Sequence, residues 1–372
     1  MEFGQCVAER CEDDDIDGSG DESTTYTQPK TTNKTSCTIL TGFLGSGKTT
    51  LLNQILKSKE HKLKIAVIEN EYGEVGVDDA LLEIETEEEI FEMNNGCICC
   101  TVRGDLMRIL HKLSARNQGN QKAFDHIIIE TTGLADPAPV AQTFFVDEDI
   151  SANYELDAIL TVVDAKHVLQ HLLEIKSDGV ENETMEQIAF ADKVLLNKID
   201  LVSEEEKEIV KQEIRNVNQF VDIYETTYGR GPDDLLSSLL NIQAFDLDKV
   251  LQKEDDFLDI NAEHEHDASI SSVGIEFQGE LDLYKLNTWL TILLRDNGVN
   301  IFRSKGILNI HNAPGDARYV FQGVHMLMSI SSSDDGVGRP WKPEEPRLNR
   351  LIFIGRDLNR DLLTSKFQEC VV

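Results

Sequence analysis

Basic side chains are scarce. The 372-residue chain carries 35 Lys plus Arg against 68 Asp plus Glu, a formal net charge of -33. A surface of that sign repels phosphate backbones and anionic headgroups, so neither a nucleic acid nor a membrane is expected as a partner. Long hydrophobic runs are also lacking. No stretch reaches the roughly 18 consecutive apolar residues of a bilayer span. The amino-terminal segment holds Asp and Glu where a signal peptide needs an apolar run. An intracellular protein is expected, placed in the cytoplasm or also in the nucleus. Cysteines number only seven, an odd count, and Cys97, Cys99 and Cys100 crowd together. That spacing makes no disulfide framework for so large a chain, so reduced thiols, free or bound to metal, are expected.

What is present suggests two domains and a tail. Residues 1–36 mix Glu12, Asp13, Asp14, Asp15 and Asp17 with Gly, Ser and Thr and lack apolar periodicity, which predicts a disordered acidic tail. From Cys37 onward, short apolar runs at 38–41, 64–68, 126–129, 158–163 and 193–196 read as strands buried on both faces of a sheet. Between them, Leu51, Leu52, Ile55 and Leu56 share one helical face, and Leu106, Ile109, Leu110 and Leu113 share another on a helix starting near Arg103. Ser203 and Glu206 have capping-box spacing and open a helix bearing Ile209, Val210, Ile214 and Val217. The fold class expected over residues 37–245 is α/β, with a mostly parallel, doubly wound sheet.

Residues 246–269 are acidic, end in Glu263-His264-Glu265-His266-Asp267, and read as an exposed linker, with metal binding by the two histidines as the alternative. Beyond it, residues 270–372 show a strand at 271–277, a helix on Leu283, Leu286, Leu290, Leu293 and Leu294 closed by Gly298, strands at 307–310, 319–330 and 351–354, and a helix at 359–367. That order predicts a smaller α+β domain, with Met326 and Met328 in its core. The chain has no internal repeat.

Gly42-Phe43-Leu44-Gly45-Ser46-Gly47-Lys48-Thr49 satisfies G-x-x-x-x-G-K-[ST] between an expected strand and an expected helix, the context this phosphate loop requires. Backbone N–H groups from Gly42 to Thr50 can turn onto phosphate oxygens, Lys48 can reach the outer phosphates, and Thr49 offers a hydroxyl to Mg²⁺. Asn197-Lys198-Ile199-Asp200 ends the fifth apolar run, where a doubly wound sheet places its ligand loops. A carboxylate at Asp200 can accept from N1–H and the exocyclic amine of guanine, donors that adenine lacks as a pair, so GTP is the expected nucleotide. A solvated strand-end turn is the plainer alternative for this motif.

Glu130 closes the third apolar run and Gly133 follows three residues later. Glu130 there can bind or orient Mg²⁺, and Gly133 can bring a backbone N–H to the terminal phosphate; an ordinary strand-end acid is the alternative. Cys97, Cys99 and Cys100 precede a helix, where thiolates are stabilised, and can wrap a soft ion such as Zn²⁺ with the fourth ligand left open. Core filling or a redox pair is the alternative. Glu69-Asn70-Glu71-Tyr72-Gly73-Glu74 is a polar loop with a glycine hinge, either a switch that feels the terminal phosphate or a solvated loop.

Taken in order, the 42–49 loop, Cys97-Ile98-Cys99-Cys100, Glu130-Thr131-Thr132-Gly133-Leu134-Ala135-Asp136-Pro137 and the 197–200 motif resemble the CobW-type metallochaperone GTPases. Asn94-Asn95-Gly96, Gly323-Val324-His325 and Gly355-Arg356-Asp357 are similar to the eukaryotic branch, the zinc-regulated GTPase metalloprotein activators. The resemblance spans residues 37–372. It implies hydrolysis of GTP to GDP and phosphate with Lys48, Thr49 and Glu130 at the catalytic centre, and zinc held by Cys97, Cys99 and Cys100. It also implies transfer of that zinc to a client metalloprotein, with the carboxy-terminal domain contributing to client contact. The eukaryotic members dock on a methionine aminopeptidase through a Cys-Pro-x-Leu-Val-Pro segment, and residues 1–36 contain no such run. Two other readings stay open: a regulatory GTPase or scaffold with a structural metal site, and a chaperone for cobalt, nickel or iron.

Overall fold

The computed structural model describes residues 34–58, 61–69, 89–92, 100–117, 122–174, 182–232, 235–242, 270–333 and 340–372. Residues 1–33 of the acidic tail, residues 70–74 of the polar loop, Cys97, Cys99 and the linker with His264 and His266 lie outside the described residues.

The first sheet is parallel throughout. Its strands are β1 (Thr35–Thr41), β2 (Ile65–Glu69), β3 (Glu89–Glu92), β4 (His126–Glu130), β5 (Tyr154–Asp164), β6 (Lys193–Asn197) and β7 (Asp222–Glu225), in spatial order β3-β2-β4-β1-β5-β6-β7. The five expected runs are β1, β2, β4, β5 and β6. Sequence patterning missed β3 and β7, which are short, carry acids at both ends, and occupy the two sheet edges, where continuous apolar character is not needed. β1 also begins at Thr35, earlier than the composition change at Cys37.

Both faces of the sheet are covered, as period-2 alternation in the central strands demands. Ile128 packs with Leu51, Leu52 and Ile55 of α1 (Lys48–Lys57) on one face. Its neighbours Ile127 and Ile129 pack with Leu106, Leu110 and Leu113 of α2 (Cys100–Ser114) on the other. Burying each such side chain contributes about 1.5–3 kcal/mol. Among the described residues, the other α-helices of this part are α3 (Ala138–Val146), α4 (Glu148–Asn153), α5 (Val168–Leu172), α6 (Glu183–Phe190) and α7 (Glu204–Val217). Ser203 caps α7 reciprocally with Glu206, as its spacing predicts.

The carboxy-terminal part is β8 (Ile270–Gln278), α8 (Leu283–Asn297), β9 (Ile301–Leu308), β10 (Tyr319–Val324), β11 (Leu327–Ser332), β12 (Leu348–Arg356) and α9 (Arg360–Gln368). Its sheet is antiparallel in the order β11-β10-β9-β12-β8. Three expectations are corrected. The single strand at 319–330 is a hairpin, with Val324 paired to Leu327 and His325 turning the chain at φ 51. No Gly or Asn marks that two-residue turn, so the apolar run hid it. Met326 accordingly stands 59% exposed at the tip, while Met328 packs against the core. The strand expected at 307–310 is the end of a longer one starting at Ile301.

The two parts share one core. Ile270, Phe302, Val324, Ile352 and Ile354 join the cluster formed by Phe190, Val194, Val210 and Ile214. Beneath it lies a buried ion cluster: Arg303 Nη2 bonds both carboxylate oxygens of Asp192 at 2.7 Å, Lys305 contacts the same carboxylate, and Arg303 also donates to Phe190 O. Asp192 Oδ2 further accepts from Ile159 N at 2.8 Å. Burial by itself would push the Asp192 carboxyl up, but Arg303 and Lys305 outweigh it and hold it below the usual range. Among the described residues, no helix is long and apolar enough to cross a membrane.

Candidate functional site

The carboxyl ends of β1, β4, β5 and β6 converge on one loop cluster, the position where open parallel sheets bind ligands. β1 runs directly into the 42–47 loop, which closes with Ser46 N donating to Phe43 O at 3.1 Å and opens α1 at Lys48. Gly47 sits at φ 108, and a Cβ there would lie 2.4 Å from Asn197 Nδ2, so both conformation and space require glycine. Lys48 Nζ folds back to Gly42 O at 2.9 Å and to Phe43 O at 3.4 Å, a position from which it faces the hollow of the loop. Ser46 Oγ is buried without a hydrogen-bond partner among the described residues, the kind of orphaned donor that a phosphate oxygen would satisfy.

Thr49 Oγ1, on the first turn of α1, donates to Glu130 Oε1 at the end of β4 at 3.0 Å. One residue on, Thr131 Oγ1 donates to Thr41 Oγ1 at 2.9 Å, tying the β4 exit to the β1 exit. Gly133 then passes so close to the phosphate loop that a Cβ would meet Leu44 N at 2.5 Å. Sequence reasoning thus named Lys48, Thr49, Glu130 and Gly133, and the fold brings them to one place.

Asn197 and Lys198 have more specific roles than their motif suggests. Asn197 Nδ2 donates to Ser46 O at 2.9 Å, and its Oδ1 accepts from Thr226 Oγ1 at 3.1 Å and Gly229 N at 3.2 Å. This 2% exposed amide braces three loops. Lys198 adopts φ 62 and its Nζ pairs with Asp164 Oδ2 at 2.7 Å, an oxygen that also meets His167 Nδ1 at 3.0 Å. Burial opposes the Asp164 charge, but Lys198 and His167 outweigh it and hold the carboxyl below its ordinary range. Asp200 follows in a 3-10 turn, Ile199–Leu201, with its carboxylate exposed.

Sequence reasoning overlooked Asp164, Thr226, Gly229 and Gln187. Asp164 had a signal, since it ends the apolar run at 158–163 as Glu130 ends another. Thr226 and Gly229 follow the edge strand β7 and had none. Gln187, on α6, donates from Nε2 to Gly133 O at 3.2 Å and Ala135 O at 3.1 Å, a contact that only tertiary packing creates.

Of the thiols, Cys100 opens α2, three residues before the expected start near Arg103. Cys97 and Cys99 are outside the described residues. Cys37 and Cys370 are buried and join no ligand set among the described residues: burial pushes the Cys370 thiol up to about 11 and, aided by Glu155 and Asp157, pushes the Cys37 thiol well up. Of the polar loop after β2, Glu69 is described, buried at the strand end.

Comparison with known proteins agrees with this arrangement. Residues 36–225 match the CobW/HypB/UreG nucleotide-binding domain, and residues 270–371 match the cobalamin synthesis protein cobW C-terminal domain. The chain is 35% identical to the zinc chaperone YjiA of Escherichia coli over 336 residues, covering 90% of this chain and 98% of that one. It is likewise 35% identical to zinc-regulated GTPase metalloprotein activator 1 of Schizosaccharomyces pombe over 357 residues, covering 87% and 82%. The crystal structure of Zn(II)-bound YjiA GTPase superposes with a TM-score of 0.63 at 29% identity, over 91% of this chain and 99% of that one. A P-loop GTPase sheet joined to a CobW carboxy-terminal domain, with both family models matched in order, makes this chain a member of the CobW family of P-loop GTPases.

Proposed function

We propose that the protein is a GTP-dependent zinc metallochaperone that holds zinc on Cys97, Cys99 and Cys100 and uses GTP hydrolysis to pass it to a client metalloprotein in the cytoplasm. The observation that carries this reading is the register of one sheet edge. Glu130 on β4 lies beside Glu69 on β2, and Glu69 beside Glu92 on β3, so the three strand ends are level. The chain leaves β3 at Glu92 and enters α2 at Cys100. The end of β3, eight residues before Cys100, therefore lies level with the end of β4, two strand spacings or about 10 Å from Glu130. Relatives named as zinc chaperones support zinc as the cargo.

In this reading, Lys48 and the 42–50 backbone bind the phosphates, and Ser46 Oγ gains a phosphate oxygen as its missing partner. Asp200 selects guanine, Asn197 holds the base loop to the phosphate loop, and Gly133 offers its N–H to the terminal phosphate. Thr49 and Glu130 present hard oxygen donors side by side, a donor set that fits Mg²⁺ and would hold it. When bound, Mg²⁺ supplies charge neutralisation at the phosphates. GTP tightens the hold of the thiolates on zinc, and hydrolysis loosens it. Nucleotide and zinc then show reciprocal coupling of about 1–3 kcal/mol.

The deciding experiment is a Zn²⁺ titration against a competing chelator, with Mg²⁺ plus a nonhydrolysable GTP analogue and again with GDP. Tighter binding in the GTP-like state, lost on replacing Cys97, Cys99 and Cys100, is the expected result. Equal affinities would instead favour a regulatory GTPase with a structural metal site. Repeating the competition with Co²⁺, Ni²⁺ and Fe²⁺ tests the cargo. Methionine aminopeptidase is the client to try first, assayed by zinc-dependent activation.

A further inference from the structure

Helix α6 touches both halves of the molecule within little more than one turn. On one side, the 1% exposed Gln187 spends its amide N–H groups on Gly133 O and Ala135 O, the carbonyls flanking exposed Leu134. Its own backbone carbonyl accepts from Thr161 Oγ1 of β5 at 2.8 Å, so both ends of the residue are tied down. On the other side, Glu186 pairs with Arg356 of β12 at 3.5 Å. Three residues past Gln187, the Phe190 ring lies 6.0 Å from Phe302 and 5.4 Å from His325, and its carbonyl accepts from Arg303. The Arg356 guanidinium in turn lies 5.1 Å from the centre of the Phe302 ring. A cavity of about 70 Å³ separates Phe43 and Leu44 from Thr184, Gln187 and Ile188. The 133–135 segment is thus tied to α6 by the two hydrogen bonds from Gln187, whose side chain also lines that cavity.

We propose that α6 is the element through which the nucleotide loop and the carboxy-terminal domain sense each other, with Gln187 as the positioning residue that sets Gly133. The inference rests on the reading that Gly133 faces the terminal phosphate. A helix of two turns moves as one piece, so a shift of the Gly133 carbonyl draws on Gln187 and displaces Glu186 and Phe190 against β9 and β12. Conversely, a ligand or client that moves the carboxy-terminal sheet changes where Gly133 stands, because coupling between two sites is reciprocal. A double-mutant cycle across the two sites reads such coupling directly.

The test uses the full chain and steady-state GTP turnover. Gln187→Glu keeps the shape and reverses the hydrogen-bond sense toward the two carbonyls. It is expected to lower kcat about ten-fold while leaving GDP affinity and KM within about two-fold, the pattern of an interaction that matters only in the transition state. Its activity should recover as pH falls and the new carboxyl gains a proton to donate, a change that a merely structural defect would not show. Arg356→Ala, in the other domain, is expected to lower kcat about three-fold. If α6 couples the sites, the double variant is no worse than Gln187→Glu alone; if the sites are independent, the losses multiply to about thirty-fold and the proposal fails. Thermal unfolding of each variant separates coupling from misfolding. Gly133→Ala checks the underlying reading: unchanged turnover there would overturn the placement of the terminal phosphate. Loss of turnover in Gly133→Ala with normal kcat in Gln187→Glu would overturn only the α6 proposal.

Discussion

Asn197 Nδ2 donates to Ser46 O at 2.9 Å, joining the end of β6 to the phosphate loop across 151 residues of sequence. The same side chain accepts from Thr226 Oγ1 and Gly229 N. Asn197→Ala therefore removes three buried hydrogen bonds at once, and Thr226 Oγ1 keeps only its longer bond to Leu196 O at 3.5 Å. The expected loss of folding stability is about 2–4 kcal/mol, read by urea denaturation. A loss below about 0.5 kcal/mol, the range of an ordinary surface change, would show that the brace is not needed.

Asp200 is exposed in its 3-10 turn, so its removal should leave the fold intact. Asp200→Ala is expected to weaken GTP binding by about 1.5–3 kcal/mol, the worth of hydrogen bonds to a charged group, without any gain for ATP. Calorimetry with both nucleotides reads the difference, and an unchanged GTP affinity would remove Asp200 from the base site.

Lys48→Ala should abolish both GTP turnover and nucleotide-dependent zinc transfer, because it removes the cation from the hollow of the phosphate loop. Cys99→Ala should spare nucleotide binding and weaken zinc. A Cys99→Ala protein with undiminished zinc affinity would mean that the metal is held elsewhere.

His126 is fully buried between the sheet and its cover, with Nε2 2.8 Å from Thr38 Oγ1, whose hydroxyl donates to Asp157 Oδ2. Burial drives its pKa down to about 4. The unfolded chain has an ordinary imidazole near 6.5 and takes up its proton first as pH falls. The neutral ring's contribution is therefore fully present above about pH 6.5 and is lost as pH drops toward about 4, a change of about 3 kcal/mol. Chemical denaturation across that window should show the slope, and His126→Gln should flatten it. An equal slope in both proteins would assign the acid sensitivity to other groups.

Asp192 anchors the ion cluster between the two parts of the chain. Removing it leaves Arg303 and Lys305 as buried cations facing each other, and Asp192→Ala is expected to cost about 3–5 kcal/mol. Because its folded carboxyl is held low, the contribution is present above the ordinary carboxylate range and disappears as pH falls through the folded value. Thermal unfolding at neutral pH gives the size of the loss.

Much of this molecule is local in origin and so was legible in the order of its residues. The phosphate loop needs a glycine pattern, a lysine and a hydroxyl in one contiguous stretch, and 42–49 has them. The apolar runs of β1, β2, β4, β5 and β6 and the apolar helix faces follow from period and burial, and they determine a doubly wound parallel sheet. Edge strands β3 and β7 escaped because an edge need not be apolar, and the β10–β11 hairpin escaped because His325 and Met326 carry no turn signature. What only the tertiary structure decided is the partnership of distant groups. Asn197 became a brace because Ser46 lies beneath it. Asp164 became the partner of Lys198 because β5 and β6 are neighbours in register, and Gln187 reached the Gly133 loop because α6 lies over the β5 strand it follows. A hydrogen bond depends on a distance of about 3 Å between atoms, and sequence separation carries no information about that distance until the chain has packed.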